Sequence, residues 1–244
     1  MSYKDYVRWS RMPTTWCGGC AIGIVFKQAT FAFEKMVLAR ERLVVVSGIG
    51  CSGRAAGYFA VDGVHVTHGR AIPVAEGIKR GNPDLNVVVF SGDGDLAGIG
   101  GNHLIHAARR NIDLAVICVN NQIYGMTGGQ MAPTSPPGLK TLTSVFGNPY
   151  QAINLQGLIT SNPNHFYARS SAFQINHLQG CIQAAIERPG FAFVDVVSFC
   201  IENNGRRLGF RSGYEMLEKI KRDYKINRRP GARLEENELG IIES

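Results

Sequence analysis

The chain has 244 residues, 45% hydrophobic and 18% charged, enough to bury a large core and far from the composition of a disordered or fibrous protein. Its formal net charge is +7, with much of the excess after Asn204. That suits an acidic partner protein, and no nucleic-acid motif or interleaved aromatic patch points to DNA or RNA. No stretch reaches the roughly 18 continuous apolar residues of a membrane span, and the opening residues lack a signal-peptide core, so a cytoplasmic protein is expected.

In chain order, the first feature is TWCGGC, which places Cys17 and Cys20 in a CxxC spacing. RLVVVSGIG (42–50) reads as a strand that runs into GIGCSGR, carrying Cys51 and Arg54. The loop GVHVTHGR holds His65 and His68 and leads to a helix over 72–81. A strand over 86–92 ends in SGDGD, a helix follows over 101–110, and a strand over 114–121 ends in a double Asn. Residues 125–164 are rich in Gly, Pro, Ser, Thr and Asn; long irregular segments inside compact domains are usually functional. A helix over 175–187 and a strand over 191–200 close the alternation, and Cys200 ends that strand.

The strand runs are continuously apolar, as in strands buried on both faces of a parallel sheet. Alternation with helices gives an α/β class with a doubly wound, mostly parallel sheet. The expected organisation is one domain over 1–205 and a charged C-terminal arm over 206–244 with one helix near 213–224.

Ligands of such sheets bind beyond the carboxyl ends of the strands. Glycines in SGDGD let backbone amides approach an anion, and the following helix start adds partial positive charge. Aspartates there would repel a bare phosphate and make sense with a divalent cation between carboxylate and phosphate, which makes a magnesium diphosphate the candidate ligand. Asn121, at the end of the next strand, adds a side-chain oxygen, and a neighbouring carbonyl adds another. The cysteines admit a zinc half-site, a redox dithiol or cluster ligands. Without a second CxxC or a preceding βαβ unit, four thiols from three separate segments suit a [4Fe–4S] cluster best, with zinc the alternative. Cys118 and Cys181 fall inside a strand and an amphipathic helix and read as core. His103 and His106 share a helix face with nothing to complete a metal site.

GDG followed about 27 residues later by the double Asn resembles the thiamine diphosphate signature. The fuller text around HGRAIPVAEGIK, SGDGDLAGIGGNH and VNNQIYGMTGGQ resembles the beta subunit of 2-oxoacid:ferredoxin oxidoreductases. The resemblance implies a sheet of the thiamine diphosphate-binding, diphosphate-domain type. It implies that Asp93 and Asn121 hold Mg2+ with side chains and Ile123 with its carbonyl. Gly94, Asp95, Gly125 and Met126 would line the diphosphate, with further contacts from Ile49, Gly50, Cys51, Ser52 and His68. Cys17, Cys20, Cys51 and Cys200 match the family's [4Fe–4S] ligands. The activity implied is oxidative decarboxylation of a 2-oxoacid to its acyl-coenzyme A, with electrons passing to ferredoxin.

The same resemblance implies an alpha subunit that supplies the pyrimidine-binding domain and the activating Glu, in an (αβ)2 assembly, and no activity for this chain alone. 2-Oxoglutarate is the first substrate expected, ahead of pyruvate and branched-chain or aryl 2-oxoacids. Arg54, just beyond Cys51, is a candidate to pair with a substrate carboxylate. FCIENNGR stands where the family often continues Pro-Thr after the fourth Cys, and LQGLITSNPNHFYAR (155–169) replaces an alanine- and glycine-rich helix. Two readings compete: a non-redox thiamine diphosphate decarboxylase or synthase with structural cysteines, and a zinc-bearing structural or electron-relay subunit.

Overall fold

A computed structural model describes residues 1–244. The strands are β1 (Leu43–Ser47), β2 (Asp62–His65), β3 (Asn86–Gly92), β4 (Leu114–Asn120), β5 (Ile123–Tyr124), β6 (Gln130–Met131), β7 (Phe166–Ser171), β8 (Phe191–Val197), β9 (Lys225–Ile226) and β10 (Glu238–Glu243). β5 and β6 form a small hairpin by themselves. The others make one eight-stranded sheet in the order β2-β1-β3-β4-β8-β7-β10-β9. Every pairing from β2 through to β7 is parallel, and β10 joins β7 antiparallel.

The central strands are built from β-branched and aromatic residues because both faces are covered. Val45, Val88, Phe90, Ile117 and Val194 face one apolar layer, and Val44, Val46, Val89, Val116 and Phe193 face the other. The first layer includes α1 (Ala21–Lys35) and α5 (Ile175–Glu187), the second α2 (Ala71–Gly81), α3 (Gly101–Arg110) and α4 (Leu155–Thr160). α1 shows how the sequence selects this packing. Ile22, Val25, Phe26, Ala29 and Phe33 recur at helical spacing, and all five are buried in the first layer. Truncating Ile22, Phe26 or Phe33 to Ala would cost about 2–5 kcal/mol, depending on how far the core relaxes.

α3 ends where its sequence says it should. Arg109 and Arg110 occupy its last turn, and Asn111 takes a left-handed conformation, φ 48°, as the terminating residue. The Asn111 side-chain oxygen then accepts the Phe191 N–H at 2.8 Å, fixing the start of β8 beside β4.

The chain reverses its direction of travel across the sheet between β1 and β3, so a crevice opens beyond their carboxyl ends. Gly48–Cys51, Gly92–Asp95 and Asn120–Ile123 are the segments delivered there. No helix is long and apolar enough to cross a membrane.

The boundary expected at residue 205 is not a boundary of the sheet. After α6 (Gly213–Asp223), β10 returns to pair with β7, and the Arg169 guanidinium donates to the carbonyls of Glu235 (2.9 Å), Glu236 (3.4 Å) and Glu238 (3.4 Å). The short run ELGIIE is lost in the average composition of a charged tail, which is why composition alone placed these residues outside the domain.

Candidate functional site

Asp93 and Asp95 lie two residues apart and do different work. Asp95 is buried and its carboxylate is fully engaged. One oxygen accepts the N–H groups of Ile49 (3.1 Å) and Gly69 (2.8 Å) and lies 2.8 Å from His68 Nδ1; the other accepts the Ser91 hydroxyl at 2.8 Å. It therefore ties the loops after β1 and β2 to the end of β3. Gly48 must be glycine for this to happen, since a Cβ there would stand 2.0 Å from that carboxylate.

Asp93 is as buried as Asp95 but has only two donors from other residues, the Asn121 N–H at 3.3 Å and the Thr134 hydroxyl. Burial pushes its carboxyl up to about 6 despite those hydrogen bonds, and the negative charge of Asp195 adds to the rise. A buried carboxylate with free lone pairs and a raised pKa is a site that a cation would stabilise.

The turn after β4 lines the same cavity as Asp93, through Asn121 and Ile123. The Asn121 side-chain oxygen accepts the Ile123 N–H at 3.1 Å, and Gln122 between them is left-handed at φ 62°, an uncommon conformation for a residue with a side chain. Ser135 holds that geometry by donating to the Gln122 carbonyl at 2.6 Å. Carboxylate, amide oxygen and main-chain carbonyl form a hard-oxygen donor set suited to Mg2+.

These segments enclose a cavity of about 120 Å3 whose walls include every residue that the sequence put against the cofactor: Ile49, Gly50, Cys51, Ser52, His68, Asp93, Gly94, Asp95, Asn121, Ile123, Gly125 and Met126. Gly94 leaves no room for a side chain, because a Cβ there would meet the Tyr124 ring at 2.4 Å. Beside it opens a larger cavity of about 580 Å3 that shares Ile49, Gly50 and Met126 and carries Arg8, Arg11, Arg54 and His65.

Four of the six cysteines gather next to this site. Burial, joined by the negative charges of Cys200, Cys51 and Cys17, pushes the Cys20 thiol up to about 11. Cys51 and Cys200 are raised in the same way, burial first, Cys51 by Cys200 and Cys17, and Cys200 by Cys17. Every pair among the four is thus within electrostatic reach. Neither Cys118 nor Cys181 belongs to the group; both are buried in the core layers.

No three His, Cys, Asp or Glu side chains converge tightly enough to hold a single ion. Cys17, Cys20, Cys51 and Cys200 are nonetheless near enough to influence one another's ionisation. The Asn203, Glu202 and Asn204 N–H groups point at the Cys200 sulfur and offset part of the rise in its pKa, an arrangement that favours a thiolate. The donor set fits a cluster: four thiols held together have reason to ionise only with a cationic centre between them.

Residues 48–196 match the family of the thiamine pyrophosphate enzyme C-terminal TPP binding domain. The 2-oxoglutarate synthase subunit KorB of Methanothermobacter marburgensis is 44% identical over 237 residues, covering 97% of this chain and 83% of the relative. The 2-oxoacid:ferredoxin oxidoreductase subunit beta of a Sulfolobus species is 40% identical over 217 residues, 88% of this chain and 69% of that one. The chain belongs to the 2-oxoacid:ferredoxin oxidoreductase beta subunits. A solved 2-oxoglutarate:ferredoxin oxidoreductase from Magnetococcus marinus, with 2-oxoglutarate, coenzyme A and succinyl-CoA bound, shares the fold at a TM-score of 0.89 and 30% identity, over 100% of this chain and 84% of that one.

Several residues of this beta subunit's site have no signal in the sequence. Thr134 reaches Asp93 from the irregular segment, and Tyr124 donates to the Gly94 carbonyl at 3.2 Å while its ring packs edge-on to His68. Asp195 lies in the middle of β8, where it accepts from Asn120 (2.9 Å) and Tyr167 (2.8 Å) and so anchors the first Asn of the pair. The turn IENNG, which departs from the family's usual text, supplies the N–H groups around Cys200. His65, without an assigned role in the sequence, lines the basic cavity with Arg54, whereas His103 and His106 stay on α3 away from both cavities.

Proposed function

We propose that this chain is the electron-handling half of an enzyme that oxidatively decarboxylates a 2-oxoacid to its acyl-coenzyme A, with 2-oxoglutarate the favoured substrate. Thiamine diphosphate, when bound, would supply the nucleophile and electron sink for decarboxylation, and a [4Fe–4S] cluster would supply one-electron transfer towards ferredoxin. Asp93, Asn121 and the Ile123 carbonyl hold the magnesium. Gly92, Gly94 and Gly125 let backbone approach the diphosphate. Cys17, Cys20, Cys51 and Cys200 hold the cluster.

The observation that carries this reading is Cys51. It lines the cofactor cavity and is also one of the four grouped thiols, so electron donor and acceptor share a wall. A non-redox thiamine enzyme has no use for that juxtaposition, and a structural zinc site has no use for the carboxylate-lined cavity beside it. Arg54 projects into the adjoining basic cavity, where it would pair with a carboxylate of the substrate. 2-Oxoglutarate and coenzyme A are bound in the Magnetococcus enzyme, and the relatives named 2-oxoglutarate synthase point to the same acid.

Of the two carboxylates lining the cofactor cavity, Asp95 is taken up by its hydrogen bonds and Asp93 would be taken up by the magnesium, which leaves neither to engage an aminopyrimidine. An alpha subunit must complete the site, in an (αβ)2 assembly working in the cytoplasm. The test is to purify the chain with and without its alpha subunit, without oxygen, and to follow acyl-coenzyme A formation with each 2-oxoacid. Activity only in the complex, and fastest with 2-oxoglutarate, is expected. Fastest turnover with pyruvate would overturn the substrate assignment, and activity of the lone chain would overturn the need for a partner.

A further inference from the structure

The four thiols are not equally placed. Cys51 lines the cofactor cavity, and Cys200 lies beside the Gly125 loop, where a Cβ on Gly125 would stand 3.1 Å from its sulfur. These two form the inner edge of the group. Cys17 is exposed, and it marks the outer edge. Electrons that enter from the cavity side must leave from the other.

One short segment adds exposed cations to the surface at that outer edge. The CxxC loop packs against the turn that follows Cys200 and against the start of α6: a Cβ on Gly19 would lie 3.8 Å from Ile201 and from Gly213, and a Cβ on Gly213 would lie 2.5 Å from the Gly19 carbonyl. Between those two contacts runs RRLGFRSGY (206–214). Arg206, Arg207 and Arg211 are exposed. Arg206 is tied to Glu202 at 2.9 Å, and the Glu215 carboxylate is taken by the Arg211 N–H at 2.8 Å. Arg207 and Arg211 thus project their charge to solvent. Leu208 is 46% exposed and Tyr214 70% exposed in the same stretch, so an apolar pair sits among the cations.

We propose that residues 206–214 form the docking surface for an acidic ferredoxin, with Leu208 and Tyr214 as the contact centre and Arg207 and Arg211 as steering charges. The inference rests on the four-thiolate reading of Cys17, Cys20, Cys51 and Cys200. Charge complementarity selects the partner class: a basic rim speeds encounter with an acidic protein, and a small apolar centre suits a transient contact. Each encounter moves one electron from the reduced cluster, which is reoxidised, to the oxidised ferredoxin, which is reduced. No bond is made or broken, and two encounters complete the oxidation of one 2-oxoacid.

The test uses the assembled complex of alpha and beta subunits with its cluster. Arg207→Glu/Arg211→Glu is compared with Arg228→Glu/Arg229→Glu, an exposed pair on the arm. Association with an acidic [4Fe–4S] ferredoxin is followed by stopped flow at low and high salt. Iron content and the substrate-driven reduction of a viologen dye serve as controls. The 207/211 reversal is expected to slow association by about tenfold or more at low salt, with the difference shrinking as salt screens it. Iron and dye reduction should stay unchanged, and the 228/229 pair should stay within about twofold of the parent.

Equal association for the parent and the 207/211 variant overturns the docking surface. Loss of alpha-subunit binding in that variant overturns it as well, by assigning the same face to the alpha subunit. A complex without iron overturns the four-thiolate reading itself, and the iron assay tells that failure from the other two.

Discussion

Asp93 and Asp95 should respond in opposite directions to the same change. Asp95→Asn neutralises a carboxylate that accepts from Ile49, Gly69 and Ser91. Hydrogen bonds to a charged acceptor are worth about 1.5–3 kcal/mol and neutral ones about 0.5–1.5 kcal/mol, so weakening three of them costs about 3 kcal/mol. Asp93→Asn removes a charge that burial disfavours. Its carboxyl stands at about 6 instead of the ordinary 3.8, which at about 1.4 kcal/mol per pH unit corresponds to about 3 kcal/mol of relief in protein free of magnesium at neutral pH. A carboxyl raised in the folded state carries its penalty above pH 6 and sheds it as pH falls towards 3.8, so the gain from Asp93→Asn should shrink on acidification.

The assay is thermal unfolding of the assembled protein stripped of magnesium and thiamine diphosphate, then repeated with both added back. At about 2–4 °C per kcal/mol, the Asp95 variant should melt about 6–12 °C below the parent and the Asp93 variant a similar amount above it. Only the Asp93 variant should lose the whole stabilisation by magnesium and cofactor, which is about 2.7 kcal/mol for the parent at a hundredfold excess over Kd. If both variants are destabilised alike in the stripped protein, the division of labour between the two aspartates is wrong.

Cys51→Ser should lose most of its iron, whereas Cys118→Ala and Cys181→Ala should keep it and lose only about 1–2 kcal/mol of stability; iron assay and melting separate the two classes. Gly94→Ala drives a methyl into the Tyr124 ring and should cost about 1–3 kcal/mol, with weaker thiamine diphosphate binding by calorimetry. His177, held below its usual pKa by burial and 2.8 Å from the Ser170 hydroxyl, favours the neutral ring. Its contribution is intact above about pH 6.5 and is lost as pH falls through the depressed value, so the parent's melting point should drop faster than that of His177→Gln between pH 7.5 and 5.5.

The sheet was legible because its strands are buried on both faces. Continuous runs such as NVVVFSG need no alternation to be recognised, and Asn111 and the Gly-rich turns punctuate them. The cavity was legible for a related reason: the glycines and paired Asn lie at strand ends, where topology must bring them together. The support around it was not. Thr134, Ser135 and Asp195 act across separations of 41, 13 and 75 residues in their key hydrogen bonds, and nothing local marks a threonine in an irregular segment or an aspartate inside a strand as a partner. β10 was hidden for yet another reason. Six residues of strand in a charged tail cannot outweigh their surroundings in composition.

The most direct test is to add 2-oxoglutarate and coenzyme A to the anaerobic complex and record its EPR spectrum with iron and acid-labile sulfide counted per beta chain. About four of each, with a reduced-cluster signal that appears only when the substrates are present, is the expected result. Zinc in place of iron, or a full complement of iron that stays oxidised while the 2-oxoacid is consumed, would contradict the joining of thiamine and cluster chemistry at Cys51.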